Sequence, residues 1–210
     1  MITEYIENSL YERFPSLCEC KNEIEAVVLM MLDTYKRGGK ILLCGNGGSC
    51  ADCEHIVGEL MKGFLSLRAL SDDKKAKMME ICPEVSDMLD KLQDGLPAIS
   101  LTSFTGLNTA FCNDVDADLV FAQSLLALGR ENDVLIALST SGNSKNVVNA
   151  VKIAKSLGIK VISLTGEGGG KLAELSDICI KSPEKETYKV QELHLPIYHY
   201  LCAEVEKYFF

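Results

Sequence analysis

Two short segments rich in glycine, hydroxyl and amide groups have the composition of anion-binding loops. The first is Gly-Asn-Gly-Gly-Ser at residues 45–49, and the second is Ser-Thr-Ser-Gly-Asn-Ser at residues 139–144. Each follows a short apolar run and precedes a helical pattern, so its backbone N–H groups would lie at a helix N-terminus, where the helix dipole favours negative charge. Glycines permit close approach of a ligand to the backbone, and hydroxyls such as that of Ser49 add donors. Both segments therefore predict phosphate binding.

The two loops differ in how specific their patterns are. The first lacks the dinucleotide-binding fingerprint, because Cys50 stands where the third spaced glycine belongs, and no Gly-Lys-Ser/Thr follows as in nucleoside triphosphate loops. A tight turn between a strand and a helix is the alternative. In the second loop Ser144 could cap the following helix. A cap explains one serine, however, and leaves the other polar side chains around Gly142 to be explained.

A second group of residues combines acid–base and metal-binding side chains. His55 and Glu59 are four residues apart on a predicted helix and share one face of it. Gln191 and His199 are eight residues apart near the end of the chain, which is 2.2 helical turns. Two imidazoles, a carboxylate and an amide could bind zinc through nitrogen and oxygen, or transfer protons. An ordinary surface pair at His55 and Glu59 is the alternative.

Three further signals are weaker. Asn113 and Asp114 lie in a polar break and predict only a turn. Cys50 and Cys53 have the spacing of a redox pair but not its usual aromatic or proline neighbours, so we interpret them as structural thiols. His194 is interpreted as a core or surface residue.

Alternating apolar runs and helical patterns must position these groups. Strands are predicted at residues 40–44, 97–101, 133–138, 160–165 and 177–180, with helices at 49–62, 118–128 and 144–157 between them. This alternation predicts an α/β fold, in which a parallel sheet is covered by helices on both faces.

The remaining segments are predicted to be helical. Two N-terminal helices are expected at residues 4–13 and 22–36, and a last helix at about 185–208, kinked at Pro196. The charged segment 71–95 is interpreted either as a solvated helical excursion or as a lid or subunit-contact element. The whole of 1–210 is expected to form a single domain, with N-terminal helices at 1–38, an α/β core at 40–182 with a helical insert at about 66–96, and a C-terminal helix at 185–209.

Composition excludes several classes of protein. The 210 residues are 47% hydrophobic and carry a net charge of −9, with no stripe of Lys and Arg, so binding to nucleic acid is not expected. No apolar run approaches the ~20 residues needed to span a membrane, and the N-terminus does not resemble a signal peptide. Nine cysteines without such a signal predict reduced thiols in a cytoplasmic protein.

The motifs taken together resemble the phosphoheptose isomerase group of the SIS (sugar isomerase) domain family. The resemblance covers about residues 1–210 apart from 66–96, and it rests on the motifs Cys-Gly-Asn-Gly-Gly-Ser (44–49), His-x3-Glu-Leu (55–60), Asn-Asp (113–114), Ser-Thr-Ser-Gly-Asn-Ser (139–144), Leu-Thr-Gly (164–166) with Gly-Gly-Lys (169–171), and Gln-Glu-x-His (191–194) with His199. It implies a five-stranded parallel sheet in a three-layer, flavodoxin-like or Rossmann-like α/β/α arrangement. It also implies a homotetramer whose active sites are built by more than one subunit.

The same resemblance implies a ligand set. Substrate contacts fall on Asn46, Gly47, Gly48, Glu59, Asn113, Asp114, Ser139, Thr140, Ser141, Ser144 and Gln191, to which the loop pattern adds Ser49. One zinc ion per subunit would be held by His55, Glu59, Gln191 and His199.

The implied reaction converts sedoheptulose 7-phosphate to D-glycero-D-manno-heptose 7-phosphate through an enediol. Glu59 is the expected base and His199 its acid–base partner. A carboxylate bound to zinc is a poorer base, so the two roles of Glu59 compete.

Three departures from the family pattern leave the identity of the sugar substrate open. The stretch 66–96 is longer than usual, Lys62-Gly63 replaces a Gly-Arg pair, and Tyr188 replaces an aspartate. The alternatives are an isomerase for another ketose phosphate and a non-catalytic member of the same superfamily. The latter would be a sugar-phosphate sensor or a tetrameric binding protein such as the replication initiator-associating protein.

Overall fold

One parallel five-stranded sheet organises the chain. The structure, a computed structural model, describes residues 9–210. The strands are β1 (Ile41–Cys44), β2 (Ala98–Ser100), β3 (Val134–Leu138), β4 (Lys160–Gly166) and β5 (Ile178–Ser182). They lie in the order β2-β1-β3-β4-β5, and all neighbours are parallel. The predicted α/β fold with a five-stranded parallel sheet is confirmed.

Helices follow most of the strands. They are α1 (Lys21–Lys36), α2 (Gly48–Met61), α3 (Asp72–Ile81), α4 (Ser86–Leu89), α5 (Thr105–Phe111), α6 (Val120–Leu128), α7 (Lys145–Ser156), α8 (Gly170–Leu175) and α9 (Thr187–Phe209). Residues 9–13 are also helical, and the rest of the helix predicted at 4–13 lies outside the described residues. Helix α9 continues through Pro196. No helix in the described range 9–210 has the length and apolar composition to cross a membrane.

The helices cover both faces of the sheet, because alternate strand residues point in opposite directions. Leu43 of β1 packs in a core shared with Ile56 of α2 and Tyr198 of α9. Leu42 belongs to a second core on the other face, which includes Leu125 of α6 and residues of α7. Three layers result, and α2 and α9 lie on the same side of the sheet.

The segment between α2 and β2 is a helical excursion. Its first helix, α3, has no buried residue and is capped by Ser71, whose hydroxyl accepts a hydrogen bond from the backbone N–H of Lys74. An isolated antiparallel bridge between Ala69 and Gln93 closes its base.

The turn predicted at Asn113 and Asp114 is wrong. Both residues lie in a π-helical turn, Cys112–Asp116, which continues α5. The sequence carried no helical signal here because α5 and this turn bury none of their residues, so no apolar stripe marks them.

Candidate functional site

The two glycine- and serine-rich loops meet where the connections of the sheet diverge. Strands β1 and β3 are neighbours, and the chain leaves them towards opposite faces of the sheet. Such a switch point opens a crevice at the carboxyl ends of parallel strands. Asn46 of the first loop and Asn146, just after the second, exchange two side-chain hydrogen bonds of 2.9 Å. The chain therefore brings both predicted loops together.

The serine loop is held in shape by its own side chains. Ser139 is buried, and its hydroxyl lies 3.0 Å from that of Ser144. Ser144 makes no side-chain cap on α7, so the predicted cap is not formed. The Ser141 hydroxyl accepts a hydrogen bond from the backbone N–H of Asn143. These hydroxyls lie at the start of α7, where a helix N-terminus favours an anion, although the backbone N–H of Val147 already donates 3.0 Å to Asn146 Oδ1.

A cavity of about 310 Å³ lies beside the first loop. Its wall includes Asn46, Gly47 and Cys50 on one side, and Asn108 and Cys112 on the other. Asn113 and Asp114 follow Cys112 directly and are exposed, with the Asn113 amide donating 2.8 Å to the Asp114 carboxylate. The pair itself does not line the cavity, but it directly follows Cys112, which does.

Gln191 lies against the first loop. A Cβ atom on Gly48 would lie 2.5 Å from the Gln191 side-chain nitrogen, so the glycine leaves room for this amide. Gln191 is thus placed at the N-terminal end of α2, beside the predicted phosphate site. Its amide group supplies both a donor and an acceptor there.

His55, Glu59 and His199 form a cluster further along the same pair of helices. His55 Nε2 lies 3.2 Å from Glu59 Oε1 and 3.4 Å from His199 Nε2. Lys62, which sequence reasoning treated only as a departure, donates 3.3 Å to Glu59 Oε2. The ring of Phe64 packs on His199 with 5.5 Å between centroids. The cluster is therefore a carboxylate between a cation and an imidazole pair.

The environment of His199 favours the neutral ring. Burial lowers its pKa first, and the nearby His55 lowers it further, while Glu59 opposes both. A neutral imidazole can accept or donate a proton near pH 7.

The cluster has donor atoms that a metal ion could use. Within residues 9–210, no three His, Cys, Asp or Glu side chains stand as a ready-made metal site. The two measured separations in the cluster, 3.2 and 3.4 Å, are nevertheless those expected between neighbouring ligands of a tetrahedral ion with bonds of about 2.0–2.1 Å. The donor set, two imidazoles and one carboxylate, also suits zinc. Gln191 lies eight residues from His199, about 12 Å along α9, and contacts Gly48 instead.

A buried ion pair fixes the C-terminal end of α2, where Glu59 lies. Arg68 donates to the backbone oxygens of Glu59, at 2.9 Å, and Leu60, at 2.6 Å. Its Nε also donates 2.6 Å to Glu206 of α9. Sequence reasoning missed both residues, because nothing local marks a contact between positions 138 residues apart.

Two other candidates, His194 and Cys53, are buried. His194 is fully buried, donates towards the Thr165 backbone oxygen, and has its pKa lowered by burial to about 4. Cys53 is buried, and burial raises the pKa of its thiol. All nine cysteines are free thiols.

Comparison with known proteins assigns the family. Sequence models of the SIS domain match residues 8–88 and 104–201. The chain belongs to the SIS domain family.

Its relatives within that family define a narrower group. A phosphoheptose isomerase from Rhodospirillum rubrum is 38% identical over 193 residues, which are 92% of this chain and 89% of that protein. One from Aneurinibacillus thermoaerophilus is 41% identical over 184 residues, 88% of this chain and 80% of that protein. The solved structure of a phosphoheptose isomerase from Francisella tularensis has a TM-score of 0.77 at 31% identity, covering 98% of this chain and 96% of that one. Within the SIS family the chain therefore groups with the phosphoheptose isomerases.

Proposed function

We propose that this chain is an enzyme that isomerises sedoheptulose 7-phosphate to D-glycero-D-manno-heptose 7-phosphate. The proposal depends on one observation: a predicted anion-binding loop and an acid–base cluster lie along the same helix. Helix α2 begins at the first loop, and the His55–Glu59 pair lies seven to eleven residues further along it. A sugar phosphate needs both parts, since the phosphate is a remote anchor whose binding energy orients the reacting end. Relatives named phosphoheptose isomerase support the same activity.

The roles of the residues follow from their chemistry. The hydroxyls of Ser139, Thr140, Ser141 and Ser144, with the backbone of residues 46–49, would hold the phosphate, and Asn113, Asp114 and Gln191 would contact the sugar. Glu59 would remove the proton from C1 of the open-chain ketose, giving an enediol. His199 would move the proton between the neighbouring oxygens, and the C1 proton would return at C2. Substrate and product have the same atoms, so no co-reactant is needed.

Zinc is part of the proposal. His55, Glu59 and His199 would hold the ion, with Gln191 as the fourth ligand if its side chain leaves Gly48. When bound, zinc would polarise the substrate carbonyl and stabilise negative charge on oxygen. The Lys62 ammonium donates 3.3 Å to the same carboxylate and would have to share it with the ion.

We further propose a cytoplasmic homotetramer whose sites are completed by neighbouring subunits. The distance along α2 from Gly48 to Glu59 is about 16 Å, so each part of the site has room for groups from a second subunit. Large apolar side chains are exposed around the excursion, including Leu67 at 73% and Ile81 at 87%. Nine free thiols fit a reducing compartment.

The decisive experiment follows the C1 proton. Protein incubated with sedoheptulose 7-phosphate in deuterium oxide should exchange that proton, and the exchange should be lost in Glu59→Gln while ligand binding stays measurable. Glu54→Gln, an exposed acid on the same helix, is the matched control and should keep full exchange. If Glu59→Gln still exchanges the C1 proton, the Glu59 carboxylate is not the base.

A different ketose phosphate is the second candidate substrate. It is favoured by Lys62, which occupies part of the family's Gly-Arg pair and contacts Glu59. A panel of five- to seven-carbon ketose phosphates, assayed with chelator and with added zinc, separates the candidates. If only a shorter ketose phosphate is turned over, that sugar is the substrate. If turnover is equal with chelator and with added zinc, zinc is not required for the reaction.

A further inference from the structure

Two asparagine side chains join the glycine loop to the serine loop across the crevice. Asn46 Nδ2 donates 2.9 Å to Asn146 Oδ1, and Asn146 Nδ2 donates 2.9 Å to Asn46 Oδ1. Asn46 belongs to the glycine loop, whereas Asn146 lies in the first turn of α7, just after the serine loop. Both residues line the cavity of about 310 Å³. The pair therefore connects two loops that leave different strands.

A backbone N–H decides which way both amides face. The Val147 N–H donates 3.0 Å to Asn146 Oδ1, and a backbone N–H can only donate. A flipped Asn146 amide would place its NH₂ group against that N–H and leave a donor in the first turn of α7 without an acceptor. With the Asn146 oxygen fixed in this way, Asn46 must turn its NH₂ group towards that oxygen and its own oxygen towards the NH₂ group of Asn146.

The hydrogen-bond capacity of the two amides shows what the pair leaves free. An amide has two N–H donors and two acceptor sites on its oxygen. Asn146 Oδ1 accepts from both Asn46 and Val147, so its capacity is filled. Asn46 and Asn146 each keep one N–H that they do not use on each other, and Asn46 Oδ1 keeps one acceptor site. The pair thus offers two donors and one acceptor, an excess of donors that suits an oxyanion such as a phosphate monoester.

We propose that Asn146 is a positioning residue that holds the Asn46 amide in the orientation from which its remaining N–H donates to the phosphate of the substrate. Asn46 is among the predicted substrate contacts, whereas Asn146 is not. Asn46 is exposed, so without this partner its side chain would be free to rotate and would have to be ordered when the ligand binds. The identity of the substrate rests on the proposed function, but the binding of phosphate does not.

The test is a double-mutant cycle on Asn46 and Asn146, with inorganic phosphate as the probe. Isothermal titration calorimetry would measure its Kd in wild type, Asn46→Ala, Asn146→Ala and the double variant. We expect Asn146→Ala to raise Kd by about 3- to 10-fold, the usual contribution of one hydrogen bond. In the Asn46→Ala background the same change should raise Kd by less than about 1.5-fold, because Asn146 acts through Asn46. A merely structural role would give the same loss in both backgrounds.

Asn149→Ala is the matched control. Asn149 lies about one turn further along α7, and its amide donates 3.0 Å to the Asp118 backbone oxygen rather than to either loop. This change should leave Kd for phosphate as it is in wild type. If Asn146→Ala fails to fold, as judged by circular dichroism, Asn146→Ser takes its place in the cycle, because serine also lacks the amide that pairs with Asn46.

Kinetics with sedoheptulose 7-phosphate supply a second readout. Asn146→Ala should raise KM several-fold and leave kcat within about twofold, because a contact to the phosphate is made equally in the ground state and the transition state. The same loss of KM from Asn146→Ala in both backgrounds would again indicate a merely structural role.

The outcomes separate the two proposals. An Asn146→Ala protein that binds phosphate as tightly as wild type, equal losses in both backgrounds, or a wild type that binds no phosphate would overturn the positioning role. If the cycle follows expectation while no ketose phosphate is turned over, the proposed function fails and the positioning role stands. If sedoheptulose 7-phosphate is turned over while the effects of the two substitutions are additive, the function stands and the positioning role fails.

Discussion

Replacing Glu206 with Gln should cost about 4 kcal/mol of unfolding free energy. The carboxylate is 2% exposed and is surrounded by donors. Its Oε1 accepts from the backbone N–H of Phe64 at 2.8 Å and from Arg68 Nε at 2.6 Å. Its Oε2 accepts from the backbone N–H groups of Leu65 at 2.7 Å and Ser66 at 3.2 Å. A single side chain therefore anchors the segment that leaves α2 to the last helix.

The magnitude follows from what glutamine cannot do. Its amide has one acceptor oxygen, so its NH₂ group would face N–H donors and leave buried groups unpaired, at about 1–3 kcal/mol each. Removing one partner of a buried ion pair typically costs about 3–5 kcal/mol, because Arg68 is left uncompensated. The two costs overlap, and about 4 kcal/mol is the combined expectation. For a chain of this length that corresponds to a fall in Tm of about 10 °C.

Urea unfolding followed by circular dichroism is the assay. The control is Asp33→Asn, which removes an exposed ion pair with Arg37 and should change the unfolding free energy by less than about 0.5 kcal/mol. A Glu206→Gln protein within about 1 kcal/mol of wild type would refute the reasoning.

Acid should narrow the difference between wild type and Glu206→Gln. Burial opposes ionisation of Glu206, but hydrogen bonds from Phe64, Leu65 and Arg68 hold its pKa below the ordinary 4.5. A carboxylate with a lowered pKa contributes its stability above the unfolded value and loses it as pH falls through the folded value. The gap between the two proteins should therefore be constant near neutral pH and shrink below about pH 4.5.

Two further substitutions test the site and the core. Gly48→Ala should displace Gln191 and so raise KM several-fold, at a stability cost below about 1 kcal/mol. The control is Gly58→Ala, in open space on the same helix, which should stabilise the protein by about 0.5–1 kcal/mol and leave KM unchanged. If the two variants have equal KM values, Gln191 does not contribute to substrate binding. His194, with a folded pKa of about 4 against 6.5, binds its proton more weakly in the folded state, so stability should fall by roughly 3 kcal/mol as pH drops from 6.5 to 4. His194→Gln should flatten that part of the pH profile of urea unfolding, and an unchanged profile would contradict the burial of a neutral ring.

The sequence was most informative where a strand must be covered on both faces. Continuous apolar runs such as Ile41–Cys44 and Val134–Leu138 are typical of strands covered on both faces, and the glycine and serine loops follow their carboxyl ends. Helix periodicity likewise placed His55 and Glu59 on one face. Strand order is different in kind, because periodicity within each strand carries no information about which strand lies beside it.

What stayed hidden depends on contacts between distant parts of the chain. A helical pattern shows which face of α9 is buried, but it does not show that Gln191 faces Gly48 while His199, two turns later, faces His55. Nothing in the sequence distinguishes Tyr198 from the other residues that are buried along α9. Its hydroxyl acquires meaning only when Asp52, 146 residues away, lies within 3.3 Å of it. A buried hydroxyl must be satisfied, and no local pattern shows that the partners of this one are Asp52 and His55.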